Sequence, residues 1–438
     1  MKKDQSKRAA AAAFVGTTIE FYDFYVYATA AALVLGLVFF PETDPVTGTL
    51  AAFATFAVGF IARPIAAVIF GHLGDKLGRK KMLLFTMLLM GLATTGIGLI
   101  PSYDHIGIWA PVLLIGLRFL QGLSVGGEWG GAVLMASEHA PAHKKTFFAS
   151  FAQMGSPAGL ILCLLVFKGI TSLDEQALLS WGWRVPFLLS FVFMLIGLAI
   201  RLGVEESPEF KQMQAKQEIA KYPVKELLKN YWPQVVFAGL AITIGTAGFF
   251  FTNTFMISYV TQYMGISRPT ILDALFWVTL FEFLAMPIAA WYASKIGAHR
   301  FLFWAAILCI VIPYPMFMLV STKNIYFIVL GITLAVLALS SLYAVVAGFM
   351  AEAFPAHVRY SGISISYQMI AAITSGTTPI IGTLLAQHYA GQWLPLAFLF
   401  SFLSLLSLIG ISGITRLRQQ QLSHQYESNQ VPNKLLNG

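Results

Sequence analysis

Long apolar runs and short polar connectors alternate along this chain. The apolar runs cover residues 10–39, 48–71, 81–101, 109–136, 146–170 and 183–203, then 232–264, 270–293, 300–320, 324–351, 360–388 and 391–415. Each is long enough for a helix to cross a hydrocarbon core about 30 Å thick, which takes roughly 20 residues. A polar stretch, 204–231, divides the runs into six and six, and a tail rich in Gln, Asn and Ser, 416–438, follows the last. The pattern predicts an all-α membrane protein with twelve transmembrane helices in two six-helix bundles. The first bundle is 1–203 and the second 232–415, joined by a cytoplasmic linker, 204–231. Within the linker, Val224-Lys225-Glu226-Leu227-Leu228-Lys229 has the pattern of an amphipathic surface helix. The tail 416–438 is expected to be disordered and cytoplasmic.

Composition sharpens this. The chain is 57% hydrophobic and 11% charged, against about 25% charged in an ordinary soluble domain. The net charge of +8 does not point to nucleic acid, because the bases sit in connectors. Lys2, Lys3, Lys7, Arg8, Lys76, Arg79, Lys80, Lys81, Lys144, Lys145, the linker lysines, Lys295, Arg300, Arg359, Arg416 and Arg418 fall on alternate connectors. The opposite connectors carry mainly acids, Glu42, Asp44, Asp104, Asp174 and Glu175. Positive charge stays inside, so both termini are expected to be cytoplasmic, in the inner (plasma) membrane, with lipid as the surrounding partner. Cys163 and Cys309 lie inside apolar runs and read as packing residues. No metal, haem or nucleotide motif is visible, so no cofactor is expected.

The two halves repeat. Glu138-His139-Ala140-Pro141-Ala142-His143-Lys144 is matched by Glu352-Ala353-Phe354-Pro355-Ala356-His357-Val358-Arg359, with the prolines 214 positions apart. Gly71-His72-Leu73-Gly74-Asp75-Lys76-Leu77-Gly78-Arg79-Lys80-Lys81 has a worn copy in Ala293-Ser294-Lys295-Ile296-Gly297-Ala298-His299-Arg300, at an offset of 219. Both spacings are near half the chain, as expected of parallel halves.

The run 71–81 resembles the loop between helices 2 and 3 of the major facilitator superfamily, and reads as a short loop. A narrower resemblance rests on Ile19-Glu20-Phe21-Tyr22-Asp23-Phe24-Tyr25-Val26-Tyr27, on Arg118-Phe119-Leu120-Gln121-Gly122, on Gly126-Gly127-Glu128-Trp129-Gly130-Gly131-Ala132, on Ser180-Trp181-Gly182-Trp183-Arg184-Val185-Pro186-Phe187 and on Glu205-Glu206-Ser207-Pro208-Glu209-Phe210. Together these resemble the metabolite:proton symporters, the group of shikimate, α-ketoglutarate and proline/betaine carriers, with the shikimate carriers nearest. The resemblance implies the twelve-helix major facilitator fold and alternating access. The expected cargo is a small organic acid or zwitterion such as shikimate or a dicarboxylate, moved with protons by a monomer. It implies transport rather than enzyme catalysis. A uniporter or exchanger of the same fold, or a membrane sensor that binds without transport, would share these features.

Candidate chemistry lies where charge is costly, since an ionised group at mid-membrane costs about 2.5–3.5 kcal/mol on insertion scales. Glu20 and Asp23 share one face of the first apolar segment and are the candidates for proton coupling. Arg118 stands at similar depth and is a candidate to hold a cargo carboxylate. The alternative is a structural Asp23–Arg118 pair. Arg63 either contacts cargo or neutralises Glu128, and the roles of Glu128 and Glu282 stay open. Gln121, Tyr27, Asn253 and Tyr367 are candidates to complete a cargo pocket. For gating, the resemblance implies that Arg79 pairs with Glu138 and that Asp75 meets the second bundle. Because Ser294 and Ala298 replace the acid and the arginine in the second copy, Glu352 has only Arg300 or Arg359 nearby in sequence, and the lock should be lopsided.

Overall fold

The computed structural model describes residues 5–41 and 45–435. Lys2, Lys3, Glu42 and Asp44, which enter the charge pattern, lie outside the described residues, as does the end of the tail, 436–438. Among the described residues eleven helices are long and apolar enough to cross a membrane, and twelve when the bent first helix is one span.

We number the spans in chain order. α1 runs Gln5–Ala30, passes through a π-helical turn, Ala31–Leu35, and ends at Gly36–Phe39. α2 is Pro45–Leu77, α3 Arg79–Leu99, α4 Trp109–Glu138, α5 Lys145–Ile170 and α6 Val185–Leu202. α7 is Trp232–Met264, α8 Arg268–Ile296, α9 Ala298–Val320, α10 Ile325–Ala351, α11 Arg359–His388 and α12 Leu394–Leu435. Between α6 and α7 the linker folds into two short helices, Pro208–Ala215 and Pro223–Asn230, rather than one.

Two expectations are corrected here. The predicted loop over 71–81 is almost all helix, because α2 continues to Leu77 and α3 begins at Arg79. The turn is Gly78 alone, at φ 111°, and its repeat counterpart Gly297 separates α8 from α9 at φ 94°. Only glycine adopts such backbone cheaply. The tail is the second correction. α12 carries on to Leu435 instead of dissolving near 416. A helix nucleated in the membrane extends one hydrogen bond per residue without a new nucleation cost, and residues 416–430 contain neither Gly nor Pro.

The π turn in α1 has its own counterpart in α7, Phe251–Phe255, close to the spacing of the two glycine breaks. In the first half α1 packs on α5, α4 on α2 and α3, and α3 on α6. In the second half α7 packs on α11 and α12, α8 on α10, and α9 on α12. The halves meet through α2 against α11 and α8 against α5, a pseudo-symmetric pair of contacts.

Candidate functional site

A cavity lies between the halves. Its wall takes Glu20 from α1, Arg63 from α2, Trp129 from α4, Glu282 from α8, Tyr343 from α10 and Tyr367 from α11. The guanidinium of Arg63 stands 4.3 Å from the Phe60 ring centroid and 4.8 Å from that of Phe24. These cation–π contacts hold the charge flat against the wall, and its Nε, buried, has no hydrogen-bond partner. Glu20 is 4% exposed and its Oε2 also lacks a partner.

A polar chain ties the two halves beside the cavity. Trp129 Nε1 donates to Gln153 Oε1 at 2.6 Å, and Gln153 Nε2 donates to the Tyr343 carbonyl at 2.9 Å. Tyr343 and Tyr367 hydroxyls are 3.3 Å apart, and the Tyr367 ring stacks on Trp129 with centroids 4.0 Å apart.

The other candidates stand elsewhere. Arg118 does not line this cavity. It donates to Gln121 Oε1 at 2.7 Å and lies 4.2 Å from the Tyr27 ring centroid, while Gln121 donates to Thr94. Tyr27 also bonds Thr55. Arg118, Gln121 and Tyr27 therefore form one cluster inside the first half. Asp23 accepts from Ser190 on α6, so the structural Asp23–Arg118 pair is not what the fold builds. Glu128 is neutralised by Arg201 of α6 at 2.6 Å, not by Arg63. Arg201 is a functional charge that the sequence signalled only as an arginine two residues from the end of the 183–203 run. Asn253 donates to the Phe249 carbonyl and lines a second, largely apolar cavity. That cavity occupies the halves of the helices away from the linker. Phe24, Tyr25, Phe249 and Phe250 form the partition between it and the central cavity.

The linker face is closed on one side. Asp75 accepts from the backbone N–H of Tyr360 at 3.0 Å and of Ser361 at 2.9 Å. These are orphan donors of the α11 N-terminus, where a carboxylate is favoured by the exposed N–H groups and the helix dipole. The approach depends on glycine, since a Cβ on Gly71 would lie 2.8 Å from Ser361 Cα. Arg79 stands 3.6 Å from Asp75 and 3.5 Å from Glu138, and donates to the Ala356 carbonyl at 2.9 Å. Arg359 pairs with Glu138 at 3.2 Å. Glu352 pairs with Arg418 on α12 at 2.6 Å, instead of with Arg300 or Arg359, because Arg359 is already taken. On the pseudo-symmetric side, among the described residues, Ser294 makes no counterpart of the Asp75 contact. Ser294 bonds back to its own helix, and a cavity opens between it and Thr146 at the start of α5.

The linker latches this closure. The backbone N–H groups of Arg79 and Lys80 donate to Glu206 at 3.1 and 3.2 Å, and Ser207 donates to Glu138. Glu209 accepts from Lys145 at 2.6 Å and pairs with Arg359. Burial alone would raise the Glu209 carboxyl, but Arg359 and Lys145 together hold it below the usual value. A depressed folded pKa makes the latch fully effective above the unfolded carboxylate value, about 4.3, and lost only as pH falls through the lower folded one. Glu209→Gln should therefore raise labelling, from the linker side, of a cavity cysteine introduced by Ala371→Cys in a Cys163→Ala, Cys309→Ala background. The ratio of labelling to that of the parent at the same pH should stay constant from about pH 8 to 5.5 and fall toward one only at pH below about 4. A ratio that grows as pH falls would contradict this latch.

A sequence profile of sugar (and other) transporters matches residues 9–235. The chain is 42% identical over 395 residues to the shikimate transporter of Escherichia coli K12, covering 89% of this chain and 90% of that one. It is 38% identical over 392 residues to the inner membrane metabolite transport protein YhjE of the same organism, covering 86% and 87%. Among solved structures, the MFS (major facilitator superfamily) proton:xylose symporter XylE matches with TM-score 0.72 at 17% identity over 96% of each chain, a likeness of fold.

Proposed function

Given that the chain belongs to the sugar (and other) transporter family of the major facilitator superfamily, we propose that it is a proton-coupled symporter. It would import a small organic acid or zwitterionic metabolite by alternating access. The relatives are transporters, not enzymes. The observation that carries the reading is the shared cavity, which places a partly buried arginine and a buried carboxyl with an unpartnered oxygen, Arg63 and Glu20, on one wall between the halves.

Arg63 anchors a cargo carboxylate through its planar fork. Glu20 carries the proton, with Asp23 one turn further along the same face as a second station. Arg118, with Gln121 and Tyr27, braces the first half behind the anchor. A loaded cavity has an anion on Arg63 and a proton on Glu20, so closing it over both cargoes buries less uncompensated charge than closing it over either one. The Asp75 contact on α11 biases the empty protein toward the state open away from the linker, and a small bias suffices between two nearly equal states. Both termini and the linker lie in the cytoplasm, the membrane is the inner one, and the working unit is a monomer.

A monoanion moved with one proton carries no net charge, so a pH gradient alone drives it, whereas a zwitterion with one proton also feels the membrane potential. The test is uptake of labelled shikimate, the cargo named for the E. coli relative, and of a panel of organic acids and amino acids by proteoliposomes. Accumulation on acidifying the outside is expected. Uptake that only equilibrates whatever the pH would mean a uniporter or exchanger, and saturable binding without any uptake would mean a sensor.

A further inference from the structure

The bases on the linker side are met differently in the two halves. In the first half Arg79 stands against Asp75 and Glu138, and Lys80 Nζ donates to the Leu202 carbonyl at 2.8 Å. The carboxylate of Glu206 fills the corner between the start of α3 and the end of α6. The matching corner of the second half, between the start of α9 and the end of α12, is an open groove. Its wall takes His299, Arg300 and Trp304 from α9, and Ser412, Thr415 and Arg416 from α12, with no carboxylate among the described residues. Arg300 and Arg416 are exposed, and among the described residues neither has an ion pair or a hydrogen-bond partner. Glu352, the acid that lines the neighbouring cavity, is taken by Arg418. Trp304 is 66% exposed and Phe303 41%. Both stand about one turn past Arg300, roughly 5–6 Å deeper into the apolar run.

We propose that this groove binds an anionic phospholipid, with the phosphate held by Arg300 and Arg416 and an acyl chain laid along Trp304 and Phe303. The positive-inside pattern accounts for bases on this face of the membrane, but not for two unpaired guanidinium groups from different helices facing one groove. Their planar forks match phosphate oxygens bidentately, and the Ser412 hydroxyl adds a donor. Basic pockets between membrane helices on this side suit such headgroups. A zwitterionic headgroup carries a phosphate too, but its ammonium would lie among guanidinium groups with no carboxylate to receive it. A headgroup of net negative charge is therefore the one that complements the groove. Tryptophan is favoured where headgroups meet hydrocarbon, which sets the phosphate at the height of the arginines. Bound there, the lipid ties α9 to α12 from outside, as Glu206 ties α3 to the linker from within the chain. The site lies on the outer surface of the second half, away from the central cavity, and does not depend on proton coupling.

The experiment is native mass spectrometry of purified full-length protein in detergent, given equal amounts of phosphatidylglycerol and phosphatidylethanolamine of distinguishable mass. We expect the first bound lipid to be phosphatidylglycerol by at least about tenfold, since two arginines each favour the anionic headgroup. Arg300→Gln combined with Arg416→Gln should bring that preference to about threefold or less, and Arg300→Lys combined with Arg416→Lys, which keeps both charges, should retain most of it. Lys225→Gln combined with Lys229→Gln, at exposed positions of the linker, should leave it unchanged. All variants are checked for monodispersity. The wild-type protein decides even if the arginine variants misfold: phosphatidylglycerol with a photoreactive acyl chain should label the α9 peptide holding Phe303 and Trp304 above every other. An excess of sn-glycerol 3-phosphate, a soluble phosphate ester without acyl chains, should not displace the lipid. A wild-type preference below about threefold, an equal loss in the linker-lysine variant, or label spread evenly over the helices overturns the assignment. Displacement by glycerol 3-phosphate also overturns it, because the groove would then be a site for soluble phosphate esters.

Discussion

Glu20→Gln should abolish accumulation driven by a pH gradient while leaving exchange of cargo across the membrane. Glutamine keeps the size and polarity of the side chain but cannot gain or lose a proton. In the wild-type protein the Glu20 carboxyl lines the central cavity, is nearly buried, and holds an oxygen without a partner. A carboxylate left ionised there would carry an unmet desolvation cost of several kcal/mol, so its proton is bound when the cavity is shut and exchanged when the cavity opens. Without that group, uptake loses its link to the proton gradient and the internal concentration should rise only to the external one. Counterflow, which needs cargo binding and rocking but no net proton movement, should persist at a substantial fraction of the wild-type rate. Asp23→Asn is the companion. Asp23 accepts from Ser190 and stands about one turn from Glu20, so as second station it should also uncouple. Uphill uptake undiminished in Glu20→Gln but lost in Asp23→Asn would move the carrier to Asp23 and leave Glu20 a structural acid. The measurement is the ratio of internal to external label at steady state under an imposed pH gradient.

How much of this was legible in the sequence differs from feature to feature. The spans were, because an apolar run of membrane length has few other fates. The repeat was too, and the structure sharpens it to two single-glycine breaks, Gly78 and Gly297, and two π turns. Asp75 and Arg79 stand out because they share one short motif, but the partner of Asp75 is a pair of backbone N–H groups, which no side-chain pattern announces. The facing of the buried charges was not legible. Arg63 and Arg118 are both arginines inside apolar runs, and helical spacing cannot say which one turns toward the second half. Packing decides it. Arg118 is drawn into a cluster with Tyr27 and Gln121 of its own half, and Arg63 is laid on Phe24 and Phe60 at the cavity wall. Glu128 illustrates the same limit, since its partner Arg201 stands 73 residues away in another helix. The end of α12 was misread because polar composition was taken as disorder, while a helix already started continues through polar residues without a new nucleation cost.

Arg63→Lys should weaken apparent cargo affinity by about tenfold to a hundredfold with the maximal rate less affected. Lysine keeps the charge but replaces a planar, bidentate fork by a single strongly hydrated point. One charge-assisted hydrogen bond lost in a buried site is worth about 1.5–3 kcal/mol, which sets that range. The loss of stacking on Phe24 and Phe60 frees the ammonium to wander, so the remaining contact is also less well placed. Arg118→Lys is the decisive control. Its guanidinium serves Gln121 and the Tyr27 ring within the first half, so the change should lower thermal stability while moving affinity by less than about threefold. Competition binding and initial-rate uptake on the two variants separate these roles. If Arg118→Lys lost the affinity and Arg63→Lys kept it, the carboxylate anchor would belong to the Arg118 cluster, and the cargo would have to enter the first half in a state of the transporter other than this one.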